Sequence, residues 1–166
     1  RIAAGQIKLS NSTEAIAYID KKFTIGPEAA HVNISGISGL ATKTSYAMFL
    51  IQSMLQKLNS SEVAVVILNV KHGDLLHLDE ENSRLVEADK TAWTDLGLEC
   101  KPFENVSYYL PRKDGYAPNS INPPTPATRY KTYSYEFMDT IDKLDLLFSN
   151  IPDPHSTLES MIGDLS

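Results

Sequence analysis

The order of parts between Ala30 and Val70 constrains the fold more than any other feature. An apolar run near His31–Ser35 enters a turn carrying Gly36 and Gly39, and Lys43-Thr44-Ser45 follows. Ala47, Leu50, Ile51, Met54, Leu55 and Leu58 then recur at helical spacing until Asn59-Ser60-Ser61 ends the pattern. Val63–Val70, with AVVIL near its centre, is the nearly continuous apolar run of a strand buried on both faces. Strand, helix and buried strand in this order form a βαβ unit, which implies a parallel sheet with helices on its faces.

The remaining segments fit around that unit. Gln6–Leu9 and Ala15–Ile19 flank the turn formers Ser10-Asn11-Ser12-Thr13, so a short hairpin is expected before Gly26-Pro27 punctuates the chain. Residues 1–26 therefore read as a β appendage or linker, and residues 27–166 as the main α/β domain. Beyond Val70 the pattern predicts a helix over Ser83–Leu96 with Gly97 as its stop signal, and a strand over Val106–Leu110. A long loop from Arg112 to about Arg129, a helix over Ser134–Phe148 and a short helix within His155–Gly163 complete the reading.

A length of 166 residues suits one domain with a small appendage. With 42% apolar and 22% charged residues, the whole chain is not expected to be disordered. No apolar run approaches the ~18 to 20 residues of a membrane span, and Arg1–Ser10 has no apolar stretch of signal length. The single cysteine, Cys100, cannot form an internal disulfide, which fits a reducing, cytoplasmic compartment. A net charge of -6 argues against broad attraction to nucleic acid, though a local basic surface remains compatible with it.

The turn itself carries chemistry. A phosphate loop of the pattern G-x-x-x-x-G-K-[ST] uses glycine to converge backbone amides on an anion, a lysine for the β and γ phosphates, and a hydroxyl for magnesium. Here Gly36-Ile37-Ser38-Gly39-Leu40-Ala41-Thr42-Lys43-Thr44-Ser45 sets both glycines one position too far from Lys43, and Thr42 replaces the glycine before it. By spacing alone this is either a variant phosphate loop or a glycine-containing strand-to-helix turn with a surface lysine.

The run HVNISGISGLATKTSYAMFL resembles the phosphate loop of bacterial HerA-like ATPases, in the HerA/FtsK branch, where a G-[IV]-S-G-x-A-[TA]-K-T-S loop replaces the usual one. VVILNVKHGDLLHLDE is similar to that family's second core strand and its N-x-K-x-x-D-L-L turn. PFENVSYYLP is similar to its PF-x-N-V-x-YY-x-P strand. The resemblance implies a three-layer P-loop NTPase fold: the N-terminal part of a RecA-like core with a mostly parallel sheet, preceded by a short β appendage from an N-terminal barrel. It also implies ATP and Mg2+ as cofactors and a parent DNA translocase or helicase, a homo-hexamer around double-stranded DNA that works with a partner nuclease. Carried over, Gly36, Ser38, Gly39, Ala41, Thr42, Lys43, Thr44 and Ser45 contact the nucleotide. Lys43 is the catalytic cation, Thr44 the magnesium ligand, and Asn69, Lys71 and Asp74 lie beside the nucleotide at the sheet edge.

Hydrolysis in this class needs an apolar strand ending in Asp-Glu. Leu75–Glu80 has that lettering, but it follows Val70 too closely to allow another parallel strand, whose crossover takes about a dozen residues. The family's acidic strand would come well after residue 150, so the chain reads as a fragment that binds ATP without hydrolysing it efficiently. The alternatives are a nonenzymatic interaction module with a degenerate loop, or a small phosphotransferase.

Other constellations have plainer readings beside sharper ones. His72, Asp74, His77 and Asp79 can all ligate a metal, yet His72 and His77 would not share a helix face, and a polar loop explains them as well. Six of the eight tyrosines, Tyr108, Tyr109, Tyr116, Tyr130, Tyr133 and Tyr135, fall near Arg112, Lys113, Arg129 and Lys131. That interleaving suits base stacking, while two strand faces and a loop are the simpler account. Trp93 reads as core, and Cys100, without a partner histidine in sequence, does not read as a nucleophile.

Overall fold

A computed structural model of the chain describes residues 1–26, 30–37, 42–58, 63–70, 73, 75–113, 117–136, 140–144, 149 and 156–165. These divide into two compact units, one of residues 1–70 and 77–106, the other of residues 71–76 and 107–166.

The first unit opens with an antiparallel hairpin of β1 (Ile2–Lys8) and β2 (Glu14–Ile19). Its turn is closed by Leu9 N–H on Thr13 O at 2.8 Å and Ser12 N–H on Leu9 O at 3.0 Å, while the Asn11 side chain accepts from Thr13 N–H. The register slips between Ala3 and Gly5, where a bulge needs φ of 141°, a value open to glycine. Ile2, Ala3 and Ala4 are buried and the far end of the hairpin is exposed, so only the first half of β1 faces the core.

Against that half packs α1 (Thr42–Lys57), whose Tyr46 hydroxyl donates to Ala4 O at 2.8 Å. Ala47, Leu50, Ile51 and Met54 form one helix face and, with Ile2, Ile19, Val32 and Ile34, line a cavity of about 180 Å³. The hairpin expected as an appendage therefore shares a unit with α1. A shorter helix, α2 (Glu87–Asp95), begins where the Asp89 carboxylate accepts from Val86 N–H at 3.0 Å. It stops at Gly97, whose φ is 68°. Trp93 meets Phe49 of α1 edge-on at 5.3 Å.

The segments 30–37 and 63–70, expected as neighbouring parallel strands, join no ladder among the described residues. Val66, Leu68 and Val70 are 84%, 83% and 91% exposed, so an apolar composition suited to a buried strand here faces outward. Composition reports what a segment would gain on burial, whereas a ladder also needs a partner strand in register.

In the second unit, β3 (Tyr108–Pro111) and β4 (Tyr130–Tyr133) pair in parallel. Parallel neighbours need a long crossover, and the segment between them supplies it. Within its described residues Arg112 and Pro118 form an isolated bridge, and Asn119 N–H donates to Pro111 O at 2.7 Å. Tyr108, Leu110, Pro124 and Leu144 are buried. Of the expected helix over Ser134–Phe148, residues 137–139 and 145–148 lie outside the described residues; Ser134–Glu136 are not helical, and a 3-10 turn forms at Ile141–Lys143. The last helix is α3 (Thr157–Leu165). No helix of the described residues is long and apolar enough to cross a membrane.

Candidate functional site

The candidate site lies at the N-terminus of α1. Lys43, its second residue, donates from Nζ to Gly36 O at 2.9 Å, closing a loop seven positions long. Thr44 and Ser45 are exposed in the same first turn, and that turn has no acidic side chain. The first amides of a helix have no intrahelical acceptor and carry the positive end of its dipole. A cation, the positive end of the helix dipole and two hydroxyls thus stand together, with no carboxylate in that turn to neutralise them.

The end of α1 opposite this site is tied down on its second face. Gln56 and Glu99 bond reciprocally, with Gln56 Nε2 donating to Glu99 O and Glu99 N–H to Gln56 Oε1, each at 2.8 Å. Buried Gln52 donates to Lys101 O at 3.1 Å and to Pro102 O at 3.3 Å, and Lys57 Nζ reaches Gly97 O at 2.8 Å. Phe49, Gln52, Ser53, Gln56 and Lys57 follow one helical stripe, so the segment 97–102 is held along it. These polar ties escaped the sequence reading. The signal was two glutamines four apart among the apolar residues of the helix.

Of the residues expected at the nucleotide, Gly36 and Lys43 are brought together, and Thr44 and Ser45 follow on the helix. Thr42 is the first residue of α1. Ser38, Gly39, Ala41, Lys71 and Asp74 lie outside the described residues. Asn69 sits exposed on the segment 63–70, which shares no ladder with residues 30–37 among the described residues.

Leu75–Glu80, with the lettering of an acidic strand end, is a run of turns: Leu76 N–H bonds Gly73 O at 3.1 Å and Glu80 N–H bonds His77 O at 3.2 Å. His77 Nδ1 lies 3.0 Å from Glu80 Oε1. Among the described residues no three His, Cys, Asp or Glu side chains gather as a metal site, and His72 lies outside them. Burial pushes the Cys100 thiol above its usual range, with Asp89 adding to the effect and Lys90 opposing it. A protonated thiol is a weak nucleophile.

Compared with protein-family models, with curated proteins and with solved structures, the chain matches none.

Proposed function

We propose that this chain is the ATP- and Mg2+-binding portion of a HerA-like DNA-translocating ATPase, the N-terminal part of a three-layer α/β core. The observation that carries this reading is the Lys43 ammonium at the head of α1, folded onto Gly36 O. A lysine held there without an acidic partner in its turn is poised to exchange one carbonyl for phosphate oxygens, a stronger, charge-assisted bond. Lys43 would take the β and γ phosphates, the Thr44 hydroxyl would ligate magnesium, and the first amides of α1 would face the anion. Magnesium would supply charge neutralisation between those phosphates. Gly36, Ser38, Gly39, Ala41, Thr42, Ser45, Asn69, Lys71 and Asp74 complete the proposed contact set. A cytoplasmic location, a hexameric parent around double-stranded DNA and a partner nuclease belong to the same proposal.

Titration calorimetry with Mg·ATP tests it. Binding should occur with the native chain and weaken at least about tenfold, a loss of ~1.4 kcal/mol or more, in Lys43→Ala. Equal affinity in the two proteins would overturn the site. The second reading, a nonenzymatic interaction module, is favoured by the outward apolar row Val66, Leu68, Val70. Absence of any ATP binding by the native chain would select it.

A further inference from the structure

The second unit carries an aromatic and basic face that the nucleotide site does not use. In the β3–β4 register Tyr109 pairs with Lys131 and Pro111 with Tyr133. Paired residues of parallel strands share a sheet face, and alternate residues along a strand lie on opposite faces. Tyr108 and Leu110 take the buried side, so Tyr109, Lys131 and Tyr133 look outward, and Tyr135 continues their parity beyond β4. Tyr109, Tyr133 and Tyr135 are 60%, 41% and 74% exposed.

The charge of this face sits against a ring. Lys131 Nζ stands 5.7 Å from the centroid of Tyr109, within range of a cation–π contact. Tyr133 and Tyr135 meet edge-on at 5.8 Å, which leaves ring surface free for a third partner. Arg112 and Ser134 have the opposite parity, and the Arg112 guanidinium donates to the Ser134 hydroxyl at 2.6 Å on the other face, so Lys131 supplies the charge of the outward face. From Tyr108 to Tyr135 the sequence has four cations, Arg112, Lys113, Arg129 and Lys131, against the single acid Asp114, in a chain whose net charge is -6. Glu136 follows directly and limits the patch at that end.

We infer that the outward face of β3–β4, centred on Tyr109, Lys131, Tyr133 and Tyr135, is a binding platform for single-stranded DNA. Exposed aromatic rings set around a cation match a ligand that carries flat bases beside phosphates. Diagonal neighbours such as Tyr109 and Tyr133 stand roughly 7–8 Å apart across two strands, with Lys131 beside them. A duplex keeps its base faces stacked inside and cannot offer them to tyrosine rings, so the single strand is the form selected. Stacking and phosphate neutralisation are both satisfied by DNA without a 2′-hydroxyl, so no preference for RNA is built in. This inference uses no residue of the α1 loop and stands whether or not that loop holds ATP.

Fluorescence anisotropy with a labelled oligothymidylate of about a dozen nucleotides, at low salt, tests it on the whole chain. Binding is expected with a shallow salt slope, near −0.7 in log–log form if Lys131 neutralises one phosphate. The double variant Tyr109→Ala, Tyr133→Ala should lose at least about tenfold, while Tyr133→Phe should retain binding because the ring is kept. Photocrosslinking of a bromodeoxyuridine oligonucleotide to the native chain, read by peptide mass spectrometry, covers the case of a variant that does not fold. Adducts are expected within residues 108–135. No binding at low salt, unchanged affinity in the double alanine variant, adducts elsewhere, or tighter binding of duplex DNA or of the matching RNA would each overturn the assignment.

Discussion

Ser53 shows how one atom can work against the helix that carries it. Its side chain is fully buried on α1, and Oγ has no hydrogen-bond partner among the described residues. A buried hydroxyl without a partner forfeits its hydration, and alanine is the better helix former. Ser53→Ala should therefore raise unfolding free energy by about 1 kcal/mol in urea titration, whereas a loss of similar size would mean that the hydroxyl has a partner after all. Its neighbour Gln52 has the opposite sign, because Gln52→Leu strands the carbonyls of Lys101 and Pro102 and should cost about 1–3 kcal/mol. Cys100 gives a pH-dependent test. Its thiol ionises later in the folded chain than in the unfolded one, so the folded state binds the extra proton at alkaline pH. That contribution is complete below the unfolded thiol pKa, about 8.5, and is lost as pH rises through the folded value. Iodoacetamide should react several-fold more slowly than with free cysteine at pH 8, and Cys100→Ser should flatten the alkaline fall in urea midpoint. Reaction at the free rate would contradict the burial. At this scale Lys43 was legible in sequence because a lysine before two hydroxyls at a helix start is a local pattern. Its bond to Gly36 O was not, since it depends on how the intervening loop closes.

Among the elements, α1 is read from two sides. Ala47, Leu50, Ile51 and Met54 were visible as a stripe because apolar periodicity is local. Phe49, Gln52, Gln56 and Lys57 form a second stripe whose purpose depends on residues some forty positions away, which no helix pattern records. The reciprocal Gln56–Glu99 pair makes the same two bonds that a hydrogen-bonded β pair would, with a side chain in place of one strand. Gln56→Ala removes both, and a cost of about 1–2 kcal/mol is expected in urea denaturation. The Glu99 amide should then exchange with deuterium faster than in the native chain; unchanged exchange would mean that the pair does not hold the segment. Periodicity also located α2, but the segments 30–37 and 63–70 show where that kind of reading ends. Their β-branched composition is local, whereas a ladder partner is a property of the rest of the chain.

At the level of the whole molecule, binding and turnover of a nucleotide place different demands on the chain. Binding needs an anion site, and the head of α1 offers a lysine, two exposed hydroxyls and the positive end of a helix dipole. Turnover also needs a carboxylate fixed at the end of a strand, where it polarises water against the γ phosphate. Asp79-Glu80 does not meet that demand: the pair ends a run of turns, and Glu80 lies against His77 instead of projecting from a sheet edge. Such a carboxylate is bound locally, so replacing it should leave nucleotide chemistry untouched. The expected outcome is magnesium-dependent ATP binding with little or no steady phosphate release, identical in the native chain and in Glu80→Gln. Calorimetry and a coupled phosphate assay on the two proteins decide it. A clear steady rate that Glu80→Gln abolishes would make this turn the catalytic base and reverse the separation between holding ATP and cleaving it. A clear rate that survives Glu80→Gln would place the base elsewhere in the chain.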